Sequence, residues 1–362
     1  MKKITHYYYI FFLFLIPQFT FSQVDVVYNN LVWSDEFETN GSVNSSKWFH
    51  QTQLPAGGSW FNGEVQHYTN QITNAFVNTG FLNIVAKKEP YTNQGITKQY
   101  TSARLNSKFA FLYGRVDVRA KIPVGQGTWP AIWLLGKNVN EDGGYFDAAF
   151  GTVNWPACGE IDVMEHGITP SQPLNYVQSA LHTPSSYGNT TNIGGIIANN
   201  LGNDYHVYSM NWSPSQISFL LDGVVFYTYN PAIKTPSNWP FSAQQYLLLN
   251  IAMGGVAGTI PSNFNQASME IDYVRVYQNT LADNEVSSEL GEFTFQNPAK
   301  DIVHINSKVY IYKVEIYDML GKMIISTNQN TTDVSINDLS KGIYLLAVYA
   351  GSQKSVKKLI VE

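Results

Sequence analysis

The chain is 362 residues long, 44% hydrophobic and 14% charged, with a formal net charge of −5. That length holds one large domain plus a small one, or two ordinary domains, and the apolar share supports a sizeable core. A charged fraction well below the roughly 25% of average proteins, with a mildly acidic balance, excludes a polyanion such as nucleic acid as partner.

The first residues read MKKITHYYYIFFLFLIPQFTFSQ, with two lysines before an apolar run from Tyr7 to Ile16 and a polar stretch to Ser22. This layout predicts a secretory signal peptide over 1–22, too short to span a membrane. No Cys follows the apolar run to carry a lipid, and no other segment reads as transmembrane. Cys158 is the sole cysteine, so an exported protein has no internal disulfide and depends on packing. A thiol nucleophile would need a histidine base; a small buried hydrophobe is the simpler role for Cys158.

From Leu31 to Tyr277 short β-rich runs follow one another: FLNIVAK (81–87), GRVDVRAKI (114–122), YHVYSMNW (205–212), QISFLLDG (216–223), YLLLNIAM (246–253) and MEIDYVRVY (269–277). Gly, Pro, Asn and Asp clusters separate them, and no long helical period appears. This pattern predicts an all-β sandwich or barrel. Asp222-Gly223, between two such runs, predicts a hairpin turn. The span 279–292, NTLADNEVSSELGE, is polar, lacks aromatics and reads as a linker. Residues 293–362 then form a small β module. It carries eight Lys/Arg against six Asp/Glu, whereas 23–278 carries twelve against seventeen.

One strand is unusual. GEIDVMEHG (159–167) places Glu160, Asp162 and Glu165 in an apolar run. Side chains alternate along a strand, so Glu160 and Asp162 share a face and Glu165 should point away. One extra residue near Val163–Met164, a β-bulge, would bring Glu165 back to that face. Two carboxyl groups flanking a bond are the equipment for glycoside hydrolysis with retention. One glutamate attacks, the other holds a proton, and the aspartate between them orients the nucleophile. Its charge also helps to keep the acid protonated. The glutamate Cα atoms would stand on the order of 13 Å apart, so their side chains must lean inward to reach roughly 5–5.5 Å. Solvated acids on an edge strand, or a metal site completed by His166, would produce the same spacing.

GEIDVMEHG resembles the active-site signature of glycoside hydrolase family 16 in its bulged form, as in laminarinases, agarases and carrageenases. WSDEF (33–37), NGEVQHYT (62–69), SARLNSKFAFLYGRVDVRAKIP (102–123), GTWPAIWLLG (127–136), ALHT (180–183), YLLLNIAMGG (246–255) and MEIDYVRVYQ (269–278) are similar to the family's blocks, in order. The resemblance covers roughly 24–278. It implies a β-jelly-roll (concanavalin-like) sandwich with a cleft on the concave face. It further implies Glu160 as nucleophile, Glu165 as acid/base, Asp162 as helper, and His182 on the neighbouring strand supporting the acid/base side. Trp129 and Trp133, four apart and so on one face, and Trp155 match cleft tryptophans, whose π faces suit pyranose rings. Asn62, Glu64 and Arg104 match sugar-binding residues, with ion pairing the alternative for Arg104. Asp272, Glu36 and the Gly80 carbonyl match ligands of a structural calcium; catalysis itself would need no cofactor.

NPAKD, IYDMLGKMI, LSKGIYLLAV and KKLIVE in the tail are similar to the C-terminal sorting domain of the type IX secretion system. The whole then implies a monomeric enzyme, secreted or held at the outer cell surface, whose partners are β-1,3-glucan and the secretion machinery. An agar- or carrageenan-cleaving galactanase, a mixed-linkage glucanase and a non-catalytic glycan-binding protein are the alternatives.

Overall fold

The computed structural model describes residues 24–279, Pro170 apart, and 293–362, with breaks at 308–309, 319–321, 328–331 and 351–352. The expected signal peptide (1–22), and the expected linker apart from Asn279, lie outside the described residues. The chain divides into two compact units, Met1–Asn279 and Thr280–Glu362.

In the first unit, seven strands form the sheet that carries the cleft. They are β1 (Trp48–His50), β2 (Arg104–Phe111), β3 (Thr128–Gly136), β4 (Glu160–Glu165), β5 (Tyr176–His182), β6 (Ile193–Ile197) and β7 (Gln245–Met253). They pair antiparallel in the order β6-β5-β4-β3-β7-β2-β1. An eleven-stranded sheet packs on the opposite side, with Gly114–Lys121 and Gln266–Gln278 adjacent within it. This is the β-jelly-roll sandwich that the sequence implies.

The alternation of side chains explains the two-layer core. Leu247, Leu249, Ile251 and Met253 of β7 turn inward to meet Val116, Val118, Ile271 and Val274 of the facing sheet. Residues of the other phase, Tyr246 and Leu248, join a second cluster with Leu135, Val139, Phe146 and Cys158. Both faces of β7 are therefore buried, which is why YLLLNIAM reads as an unbroken apolar run. Each fully buried leucine contributes about 1.5–3 kcal/mol of transfer free energy.

Asp222 and Gly223 have φ values of 51° and 80° and join Ile217–Leu221 to Val224–Tyr229, as a tight hairpin requires. Among the described residues, α-helix is confined to Asp147–Phe150, and no helix is long and apolar enough to cross a membrane.

The second unit is a small β-sandwich. Ile302–His304 pairs with Asp333–Ser335, and four strands (Lys313–Tyr317, Met323–Thr327, Gly342–Ala350, Gln353–Val361) form the other sheet. Its own core contains Val303, Val314, Ile316, Val334, Leu346, Val348 and Leu359.

Candidate active site

The register of β4 carries the extra residue. Against β3 the pairs run Ala131↔Glu165, Ile132↔Met164 and Trp133↔Asp162. Against β5 they run Glu160↔His182, Asp162↔Ala180 and Glu165↔Gln178, so Ser179 alone faces Val163 and Met164. The Ser179 hydroxyl donates to the Val163 carbonyl at 2.7 Å and fastens the bulge. Val163 and Met164 both enter the core, and Glu160, Asp162 and Glu165 all emerge on the cleft side.

The cleft has a volume of about 1040 Å³. Glu160, Asp162, Glu165, His182, Asn62, Glu64, Arg104, Trp129, Trp133 and Trp155 all line it. The structure thus brings every expected catalytic and sugar-binding residue to one surface.

The tryptophans do more than offer flat faces. Trp155 Nε1 donates to Glu160 Oε2 at 2.9 Å, and Trp129 Nε1 donates to Glu165 Oε1 at 3.1 Å. Trp133 Nε1 donates to Asn250 Oδ1 at 2.7 Å. Asn250 Nδ2 donates to the Tyr68 hydroxyl (3.1 Å), which donates to Glu64 Oε2 (2.9 Å). Gln66 Nε2 donates to the same Glu64 oxygen at 2.6 Å. This chain fixes Trp133 and Glu64 as one rigid wall. Asn62 stands exposed at the rim, at φ 56°.

His182 lies elsewhere than the resemblance implies. Register sets it directly opposite Glu160, with Gln178 opposite Glu165. His182 Nε2 is 3.2 Å from Asp162 Oδ2 and 3.6 Å from Glu160 Oε1. It stands nearest Asp162 and the Glu160 end, and its charge also reaches Glu165. Arg104 lines the cleft while its guanidinium is buried, bonds Glu141 at 2.7 Å, and packs over Trp60 and Trp133.

Electrostatics separate the acids. Burial, and then the charge of Asp162, hold Glu165 well above the usual carboxylate range. The same two causes push Glu160 up to about 8, while His182 and the Trp155 N–H oppose them. For His182 burial disfavours the cation, but the Asp162 hydrogen bond and the charges of Asp162, Glu160 and Glu165 outweigh it and push the imidazole up to about 10. Glu160, beside that imidazolium, ionises first. Its charge then helps Glu165 to keep its proton. His166 is turned away, its Nδ1 2.8 Å from the Tyr176 carbonyl oxygen, whereas Glu160, Asp162 and His182 each present a possible ligand atom within 4.8 Å of one another, where a cation would have to displace the imidazole proton. Cys158 is buried; burial, then the charge of Glu160, push its thiol up to about 12, which removes it as a nucleophile.

The expected calcium ligands fit a cation poorly. Glu36 accepts two hydrogen bonds from Arg275, at 3.0 and 2.8 Å, and Asp272 accepts one from Arg119. Gly80 occupies the turn before Phe81–Asn93, at φ +83°. Both carboxylates are neutralised by arginine, so an ion there would have to displace two guanidinium partners.

The model of glycosyl hydrolases family 16 matches residues 64–275, more than half of the chain. The chain belongs to glycosyl hydrolase family 16. A secretion system C-terminal sorting domain matches residues 294–362, so this family 16 enzyme is exported to the cell surface or the medium. A Beta-glucanase of Rhodothermus marinus is 38% identical over 264 residues, 68% of this chain and 85% of the relative. Glucan endo-1,3-beta-glucosidase A1 of Niallia circulans is 38% identical over 274 residues, 69% of this chain and 38% of that longer relative. A crystallised LamA variant of Zobellia galactanivorans, in complex with laminaritriose and laminaritetraose, is 47% identical with a TM-score of 0.64. It covers 70% of this chain, and all of it (100%) is matched.

Tyr68, Glu141, Gln178 and Asn250 are site residues that sequence reasoning missed. Asn250 had a visible signal: a lone amide in the apolar run YLLLNIAM, in phase with the cleft face.

Proposed function

We propose that this family 16 enzyme is an endo-acting, retaining hydrolase of β-1,3-glucan. The observation that carries the proposal is the bulged strand, which sets Glu160, Asp162 and Glu165 side by side in an aromatic-walled cleft. Glu160, as carboxylate, attacks the anomeric carbon and forms a glycosyl ester. Glu165 gives its proton to the departing glycosidic oxygen. In the second half, Glu165 takes a proton from water, the water oxygen bonds to the anomeric carbon, and the ester to Glu160 breaks. Two inversions at one carbon leave its configuration retained. His182 and the Trp155 N–H hold the Glu160 carboxylate, and Asp162 anchors His182. The reaction needs no cofactor.

The substrate rests on the kind of relatives and on charge. Six acidic side chains, Glu64, Glu141, Asp142, Glu160, Asp162 and Glu165, line the cleft against Arg104 and His182. With Glu165 protonated and Glu141 paired to Arg104, no unpaired arginine or lysine is left among the lining residues to hold the sulfates of a carrageenan, and the surface suits a neutral polysaccharide. We further propose a catalytic domain over 23–278 and a sorting domain over 293–362, joined by 279–292 after removal of 1–22.

The test is reducing-sugar release by the exported protein on laminarin, mixed-linkage glucan, agarose and carrageenan. Laminarin should be cut fastest, with Glu160→Gln and Glu165→Gln each lowering the rate by orders of magnitude in a folded protein. Near wild-type rates in either variant refute the mechanism. Activity confined to agarose or carrageenan refutes the substrate, and binding without release on any of the four would make the protein a glycan-binding one.

A further inference from the structure

Gln178 sits on β5 opposite Glu165, 7% exposed, and lines the cleft. Its Nε2 lies 3.4 Å from Glu165 Oε2 and donates to it. The other end of the amide is occupied: the Thr169 hydroxyl donates to Gln178 Oε1 at 2.7 Å. A primary amide has two opposite faces. Its carbonyl would accept the proton of a neutral Glu165 and help to retain it. Its N–H favours the carboxylate. By engaging the carbonyl, Thr169 turns the N–H toward Glu165.

The direction matters because an acid/base must alternate between two states. Asp162 and Glu160, on its own strand, raise the proton affinity of Glu165, as burial does. Against them stand the His182 imidazolium from β5, the Trp129 N–H from β3 on Oε1, and the Gln178 N–H on Oε2. Removing Gln178 takes away one of the two neutral donors on this carboxyl.

We propose that Gln178, oriented by Thr169, is a positioning residue that lowers the proton affinity of Glu165 and so makes proton release to the departing oxygen easier. It rests on Glu165 as acid/base. It adds a pair of residues that act through Glu165.

The experiment compares pH profiles of kcat/KM on a laminarin oligosaccharide for wild type and for Gln178→Leu, Thr169→Val and Thr169→Ser in the full chain. Loss of a hydrogen bond to the charged form raises a carboxyl pKa. The alkaline limb should therefore move up by about half to one pH unit in Gln178→Leu. It should move the same way in Thr169→Val, whose freed amide can turn its carbonyl to Glu165. Thr169→Ser keeps the hydroxyl and should keep the wild-type limb. An unmoved limb in Gln178→Leu, with only KM raised, overturns the proposal. So do identical profiles for Thr169→Val and Thr169→Ser, which still decide the matter if Gln178→Leu fails to fold. Glu165→Gln, run alongside, should lose the alkaline limb; if it does not, the acid/base assignment fails rather than the positioning role.

Discussion

Neutralising Glu160 should stabilise the protein, and more so as pH rises. Burial and Asp162 push this carboxyl up to about 8, against about 4.3 in an unfolded chain. A folded value above the unfolded one means that the fold prefers the protonated group. That stability is whole below about pH 4.3 and is lost as pH climbs through 8. The loss is about 1.4 kcal/mol per pH unit, hence at most roughly 4 kcal/mol between pH 5 and 8. His182 shares the charge of the cluster, which brings the expected loss to roughly 2–3 kcal/mol. At about 2–4 °C per kcal/mol for a domain of this size, that is roughly 5–10 °C in melting temperature. His182, raised to about 10, loses its own contribution as pH rises from about 6.5 through 10, and Glu160→Gln trims that contribution by removing one of the charges that raise it. Calorimetric scans of wild type and Glu160→Gln at pH 5, 6.5 and 8, at constant ionic strength, read the Glu160 share, this coupling included. The variant should gain on the wild type with each step in pH. Parallel curves would refute the claim that burial and Asp162 hold a proton on Glu160.

Asp162→Asn removes the charge that raises both glutamates, so the alkaline limb of the kcat/KM profile should fall by about one pH unit or more; an unmoved limb would mean that burial alone sets it. A calcium chelator should leave the melting temperature unchanged, because Glu36 and Asp272 are paired with Arg275 and Arg119. A fall of several degrees would show that an ion displaces the arginines in solution.

The acidic strand was legible because its signal is local. Alternation fixes which residues share a face, and a misplaced phase announces a bulge. The same logic put Trp129 and Trp133 together. What the sequence hid depends on register between strands and on contacts distant in the chain. Nothing within ALHT says that His182 will stand opposite Glu160; the pairing of β4 with β5 decides it. Arg104 and Glu141 lie 37 residues apart, and only the closed fold makes them partners. The arginine partners of the expected calcium ligands were hidden for a similar reason, since Arg119 and Arg275 reach Asp272 and Glu36 from strand positions that carry no sequence mark of pairing.

The bulge also bears on how this protein can change length. Val163 and Met164 follow one another yet both face inward, so the strand spends its surplus residue on the core side alone. Deleting either would leave a plain alternation with all three acids still facing the cleft. Deleting any of the other strand residues would turn Glu160 or Glu165 inward or remove an acid. Gain or loss of one residue is therefore survivable at a single point of the catalytic strand, and a deletion scan along 160–165 would find that point between the second and third acids.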